Sequence, residues 1–267
     1  MNTSITIGQY IPLSSPIHRL DARFKLALTL LYIVTVFFAQ NVLTYVMVFL
    51  YLALAVILSR IRVSMILKAL KPLTLVLIFT VLINVFYARG EVIWQWWIFK
   101  IAWEGIFIAL KMSIRIILLV AGSSLLTYTT SPIMLTDAIE ALLSPLKLFR
   151  VPVNELAMMM SIALRFIPTL TEETAKIMNA QKARGADFET GGLIKRAKAL
   201  IPILVPLFVS AFRRADELAM AMESRAYTGG NGRTRLKPLK ARPSDILIFI
   251  GSLLYFVACA VLGVMGF

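Results

Sequence analysis

The sequence predicts an all-α, polytopic membrane protein with about five transmembrane helices and a cytoplasmic region of three amphipathic or kinked helices. Three observations carry that prediction. Hydrophobic residues make up 59% of the 267 and charged residues only 16%, where a soluble domain carries about 25% charge. Several apolar runs reach the roughly 20 residues that a helical crossing needs. Lysine and arginine are distributed unequally between the connections that join those runs.

The elements follow in order. The first 17 residues contain neither a basic start nor an apolar stretch, so insertion is expected to rest on the spans themselves. Leu26 to Leu58 is apolar apart from a few hydroxyls and Gln40-Asn41 near its middle. That is too long for one crossing, and it reads as a helical hairpin turning at Gln40-Asn41. A third span runs from Leu73 to Tyr87 and a fourth from Gly105 to Thr127, with Lys111 and Arg115 one turn apart near its outer half. The last runs from Ile246 to Met265.

Charge sets the orientation, because Lys and Arg in short connections stay on the cytoplasmic side. The N-terminal segment carries Arg19, Arg23 and Lys25, and the second connection Arg60, Arg62, Lys68 and Lys71. The turn at Gln40-Asn41 carries none. Trp94, Trp96, Trp97 and Trp103, between the third and fourth spans, read as an outer aromatic belt. Residues 131–244 hold 17 basic and 10 acidic side chains. The N-terminus and this insert are therefore expected in the cytoplasm of a multi-pass cell-membrane protein, with the C-terminus outside. The resulting division is a membrane domain over 1–130, a cytoplasmic segment over 131–244 and a final transmembrane helix over 245–267. The net charge of +14 is accounted for by topology, and no nucleic acid is needed to explain it.

The insert holds the most unusual patterns. It opens at Ser131-Pro132, a favourable helix start, followed by Leu135, Ala138, Ile139, Leu142 and Leu146 at helical spacing, which forms one apolar stripe. A second helix is expected from Asn154 to Ala183. It is apolar through Met158, Met159 and Met160, interrupted at Pro168, and polar beyond Thr171. Gly185 can close it in a left-handed cap. A third helix, Leu193 to Tyr227, repeats the plan. Its apolar half, Ala199 to Phe212, contains Pro202 and Pro206, and its charged half ends at Glu223-Ser224-Arg225-Ala226-Tyr227. Glu173 stands eleven positions before Arg184, and Arg214 eleven before Arg225.

Each long helix thus ends on an arginine between two small residues: Ala183-Arg184-Gly185 and Ser224-Arg225-Ala226. A C-terminal arginine stabilises the negative end of the helix dipole by a few tenths to about 1 kcal/mol, which is a sufficient reason for one such site. A matching pair also suits docking of both tips into grooves of a soluble partner, where a guanidinium meets carboxylates or carbonyls bidentately. Ala199 to Phe212 is too short for an ordinary crossing. It packs within the membrane domain or offers an apolar platform to another membrane protein, and the methionines at 158–160 suit an adaptable contact surface.

Other signals are weaker. Lys111 and Arg115 read as side chains that snorkel to the interface, Asn84 as an interhelical hydrogen-bonding residue, and His18, the only histidine, as an interfacial residue. Gly229-Gly230-Asn231-Gly232 lacks the lysine and hydroxyl of a phosphate loop. Cys259 is the only cysteine, so no intramolecular disulfide forms. No pattern for a catalytic nucleophile, a metal or a cofactor is present, which disfavours a membrane enzyme. A self-contained permease would place more polar residues along its spans than Asn84 and Arg115.

Three stretches resemble the T-component, or membrane coupling subunit, of energy-coupling factor (ECF) transporters: residues 129–147, 164–187 and 213–227. The two X-Arg-small motifs 41 positions apart are the most specific part of the likeness. The resemblance implies a non-catalytic subunit without cofactor or metal, working with two ABC-type ATPase subunits and a small substrate-binding S-component in the lipid bilayer. Residues 131–244 become the coupling region. Carried over, Ala183, Arg184 and Gly185, with Ser224, Arg225 and Ala226, contact the ATPases. The apolar faces bearing Leu135, Ile139, Leu142, Met158, Met159, Leu204 and Phe208 carry the S-component. The resemblance implies import of a vitamin or another micronutrient, with a self-contained permease and the T-component of a dedicated cobalt or nickel importer as the alternatives. At the second motif the family often has Ala-Arg-Gly where this chain has Ser-Arg-Ala.

Overall fold

The computed structural model describes residues 10–87, 92–96, 99–188, 190, 192–227, 229 and 241–265. Ten α-helices lie among them: α1 (Pro16–Arg19), α2 (Ala22–Phe38), α3 (Val42–Ser59), α4 (Val63–Leu70), α5 (Thr74–Tyr87), α6 (Trp103–Thr129), α7 (Pro132–Leu143), α8 (Val153–Ala183), α9 (Leu193–Glu223) and α10 (Pro243–Met265). Short 3₁₀ turns occupy Lys71–Leu73 and Ser144–Phe149, each with a proline in its first turn. Two compact units emerge, one within Gly8–Ala138 and Leu239–Phe267, the other within Ile139–Pro238.

The first unit is a bundle whose helices keep register over their length. Helices α2 and α10 run parallel: Phe24 meets Phe249, Tyr32 meets Phe256, and the Phe38 carbonyl lies against Gly263. Helix α6 runs antiparallel to α2. Lys25 Nζ donates to the Thr129 carbonyl (3.0 Å), Tyr32 packs on Gly122, and Arg115 donates to the Ala39 carbonyl (3.1 Å). Helix α3 is antiparallel to α10 through Asn41 to Leu262, Tyr255 to Met47 and Tyr51 to Ser252. The starts of α2 and α10 and the end of α6 therefore share one end of the bundle, and the end of α10 lies at the other.

Local chemistry explains these positions. The predicted hairpin turns at Ala39–Asn41, where the Asn41 N–H donates to Thr44 Oγ1 (3.2 Å) and that hydroxyl donates back to the Asn41 carbonyl (2.7 Å). This exchange closes the first turn of α3. Tyr32, Val36, Val48, Leu118 and Phe256 form the centre of the core. The Tyr32 hydroxyl donates to the Leu118 carbonyl at 3.0 Å, a net gain of about 1 kcal/mol that also removes a buried donor's penalty. Gly122 makes this approach possible, since a Cβ there would strike the Tyr32 ring.

Among the described residues, five helical segments are long and apolar enough to cross a membrane: Val42–Ser59, Val63–Phe86, Trp103–Thr129, Val153–Ala183 and Pro243–Met265. Helix α2, with 17 residues, spans only about 26 Å and is the shortest member of the hairpin. Val153–Ala183 meets the same length and composition requirement although the sequence places it outside the membrane. The third span also begins earlier than expected. Val63–Leu70 is helical rather than a simple connection, because Ile66 is buried while Leu67 and Lys68 face outward. Within the expected aromatic belt, Val92–Trp96 pairs antiparallel with Phe99–Ala102, with an irregularity between Val92 and Trp94. Aromatic and β-branched residues favour such pairing. Trp97 lies outside the described residues.

In the second unit α8 and α9 are each 31 residues long. Pro168 lies inside α8, and Pro202 and Pro206 inside α9, each withdrawing one backbone donor from the ladder. Ile162, Phe166 and Leu170 of α8 line an apolar groove of about 330 Å³ with Ala211, Ala215, Leu218 and Met222 of α9. Arg214 bridges to Glu173 at 3.0 Å beside it. Both lie where the polar half of each helix has begun, eleven positions before Arg184 and Arg225.

Candidate functional site

The two arginine-tipped ends have the same backbone construction. At the first, the Gly185 N–H donates to the Lys182 carbonyl (3.0 Å) and the Ala186 N–H to the Gln181 carbonyl (3.0 Å), with Gly185 at φ +87°. At the second, the Ala226 N–H donates to Glu223 (2.8 Å) and the Tyr227 N–H to Met222 (3.1 Å), with Ala226 at φ +56°. Both are Schellman turns. Arg184 and Arg225 occupy the same place in each, one residue before the left-handed position, with Ala183 and Ser224 one residue earlier.

This explains why small residues flank each arginine. The residue after it must adopt positive φ, which glycine does freely and alanine at a cost of roughly 1–2 kcal/mol. The residue before it sits in the last turn, and Ser224 Oγ there donates to the Ala221 carbonyl at 3.1 Å. All six residues of the two motifs are exposed. Neither guanidinium has a hydrogen bond or ion pair with the described residues, so each presents its fork of donors outward. Such a fork suits a carboxylate or a row of carbonyls.

The apolar residues singled out in the sequence divide. Met159, Leu204 and Phe208 are exposed at 55%, 46% and 61%, and Leu142 at 39%, while Leu135, Ile139 and Met158 are half-buried. The predicted stripe on α7 is therefore turned only partly outward; Ile133 and Met134 are more exposed than Leu135 or Ile139. Helix α9 exposes more than the sequence pattern suggested. Ile201, Val205, Val209 and Phe212 join Leu204 and Phe208, an apolar expanse of the kind that marks contact with another protein or with lipid. The mixture of Ile, Val, Leu and Phe in residues 201–212 was the available signal.

Two single residues, Asn84 and Arg115, do other work than expected. Asn84 bonds within its own helix, its Nδ2 donating to the Thr80 carbonyl at 2.7 Å, because a short amide on a helix reaches its own preceding turn more readily than a neighbour. Arg115 does not snorkel. It is half-buried and its guanidinium donates to the Ala39 carbonyl, one of those that the end of α2 leaves free. Lys111 is exposed. His18 Nε2 donates to the Ile11 carbonyl (3.1 Å) and Nδ1 accepts from Ser15 Oγ (2.7 Å); burial pulls its pKa below the ordinary value. Of Gly229 to Gly232, only Gly229 is described, and the phosphate-loop question falls on residues outside the description.

Residues 13–236 match the family model described as CbiQ, cobalt transport protein. The chain is 53% identical over 248 residues to the energy-coupling factor transporter transmembrane protein EcfT of Ruminiclostridium cellulolyticum, covering 93% of each. It is 50% identical over 262 residues to the protein of the same name from Acidaminococcus fermentans, covering 98% of each. Identity to the protein of that name from Lactococcus lactis subsp. cremoris is 47% over 248 residues, covering 92% of this chain and 93% of the other.

Proposed function

The chain belongs to the CbiQ/EcfT family of energy-coupling factor transporter transmembrane proteins, and from that premise we propose that it transmits the motion of two ATPase subunits to a substrate-binding S-component. Arg184 and Arg225 each dock into one ATPase subunit, Ala183 and Gly185 keeping the first tip narrow and Ser224 and Ala226 the second. The matched Schellman turns, both exposed and both holding an arginine at the same position, carry this reading.

The levers are α8 and α9, joined at their polar halves by the Glu173 to Arg214 bridge. ATP-driven approach of the ATPases moves the tips, and the helices carry that displacement to their apolar halves. There Met158, Met159, Leu204 and Phe208, with Leu135, Ile139 and Leu142 of α7, support the S-component. Residues 1–130 and 245–267 are the membrane mount and 131–244 the cytoplasmic coupling region. The bundle end bearing Lys25, Arg60 and Arg62 faces the cytoplasm under the positive-inside rule, which leaves the end of α10 outside. ATP is hydrolysed on the partner subunits, and the cargo is a vitamin or other micronutrient bound by the S-component.

The test replaces both arginines. Arg184→Ala with Arg225→Ala removes two exposed anchoring side chains, each of a class whose loss costs at least about 2 kcal/mol, or roughly 30-fold in affinity. The double variant is expected to lose co-purification with the ATPases and substrate uptake in cells. Unimpaired uptake with both ATPases still bound would falsify the assignment. A second reading is a dedicated cobalt or nickel importer, and the description of the matching family model, which names cobalt, favours its cobalt form. Accumulation of cobalt, rather than a vitamin, by cells expressing the complete transporter supports that reading.

A further inference from the structure

The turn between α7 and α8 has the same backbone construction as the two arginine tips. The Val151 N–H donates to the Leu146 carbonyl (3.4 Å) and the Arg150 N–H to the Lys147 carbonyl (3.0 Å), with Arg150 at φ +61°. Among the described residues this is a third Schellman turn. Phe149 occupies the position that Arg184 and Arg225 hold in the other two, and Leu148 that of Ala183 and Ser224. An arginine adopts positive φ at a cost that glycine would avoid, so its surroundings hold it there. Pro145 opens the 3₁₀ turn Ser144–Phe149 and Pro152 follows Val151. Val153 and Ala157, at the start of α8, are 2% and 6% exposed.

The side chains on this turn are of the opposite kind. Leu148 is 87% and Phe149 79% exposed, more than any other large hydrophobic side chain among the described residues. Where the arginine tips offer one charge between small residues, this turn offers two apolar groups between charges. Lys147 and Arg150 are exposed on either side of the pair, and they are the only charged residues between Glu140 and Glu155. An apolar pair with cationic flanks and no acidic neighbour matches the interface of an anionic membrane. There the apolar groups enter the boundary between headgroups and acyl chains, and the cations meet the anionic heads. Connectivity agrees with this occupant. Helix α6, long and apolar enough to cross the membrane, ends at Thr129, and the main element between it and the turn is α7, 12 residues or about 18 Å of helix.

We propose that the Leu148-Phe149 turn is a membrane anchor, its two side chains entering the interface of an anionic leaflet while Lys147 and Arg150 hold the headgroups. This rests on the reading above only in placing the turn on the cytoplasmic side, and lipid nanodiscs, which expose both faces, remove that dependence. The full chain carrying Cys259→Ala receives a nitroxide through Phe149→Cys, Leu148→Cys or, as the aqueous reference, Asn179→Cys, an exposed position of α8. Collision with oxygen and with a water-soluble nickel complex is read by electron paramagnetic resonance in discs of dioleoylphosphatidylglycerol or dioleoylphosphatidylcholine. In phosphatidylglycerol, the labels at 148 and 149 are expected to meet the nickel complex at least about threefold less often than the label at 179. That shielding is expected to fall by about half or more in phosphatidylcholine, and to the same extent in Lys147→Gln with Arg150→Gln. Equal access at 148, 149 and 179 overturns the proposal, as does equal shielding in the two lipids. Shielding that appears only when the other transporter chains are added assigns the turn to a protein partner and overturns it as well. Arg184 and Arg225 are unaltered throughout, so these outcomes are separable from those of the arginine test.

Discussion

Replacing Ala226 with glycine isolates the physical requirement of the second tip. Ala226 holds φ +56°, a conformation that costs an L-residue roughly 1–2 kcal/mol, and its Cβ makes no hydrogen bond that would be lost. Glycine removes that strain but adds backbone freedom to the frayed state, at up to about 1 kcal/mol. With about 1.5 kcal/mol for the relieved strain and about 0.5–1 for the added freedom, the net stabilisation of the turn is about 0.5–1 kcal/mol, or up to about fivefold in its opening equilibrium. The reporters are the amide hydrogens of Ala226 and Tyr227, which bond to Glu223 and Met222. Hydrogen exchange, referenced to unstructured-chain rates, is expected to slow by up to about fivefold at these two amides and to remain unchanged in α10. The reciprocal change, Gly185→Ala at φ +87°, should speed exchange at Gly185 and Ala186. Unchanged or faster exchange at Tyr227 in Ala226→Gly would show that the left-handed cap is not what stabilises this tip.

Two further outcomes test the framework around the tips. Gly122→Val forces a side chain into the Tyr32 ring and is expected to cost about 1–3 kcal/mol, seen as a lower unfolding temperature in detergent; an unchanged temperature contradicts the close approach of α2 and α6. The Glu173 carboxyl is held below its ordinary pKa by a hydrogen bond from Ser210 and then by the Arg214 bond and charge, against the opposing effect of desolvation. Because the folded value is the lower one, this contribution is fully present above the ordinary value of 4.5 and is lost as pH falls through the folded value. Protection of the α8 and α9 amides should therefore fall with pH in that window in the wild type and show less dependence in Glu173→Gln.

Much of the plan was legible in the sequence. Runs such as Val42–Ser59 and Pro243–Met265 are readable because a crossing backbone must satisfy its own hydrogen bonds, which leaves helices of a fixed minimum length. The left-handed cap at Gly185 was readable because glycine advertises positive φ. Ala226 gave no such signal, since alanine enters that region only when the surrounding turn compels it. The helical character of Val63–Leu70 was hidden by Lys68, which suits a connection as well as the outer face of a helix.

Composition and spacing by themselves determined that this chain is a predominantly helical membrane protein with paired arginine ends, because hydrophobic length and side-chain type are local properties; the short strand pair Val92–Trp96 and Phe99–Ala102 was not among what they determined. Only the tertiary structure decided what depends on which residues meet. It turned Arg115 onto the free Ala39 carbonyl and set Gly122 under Tyr32. It placed Glu173 beside Arg214. Each of these joins residues far apart in the chain, and helix register, which no single stretch of sequence encodes, brings them together.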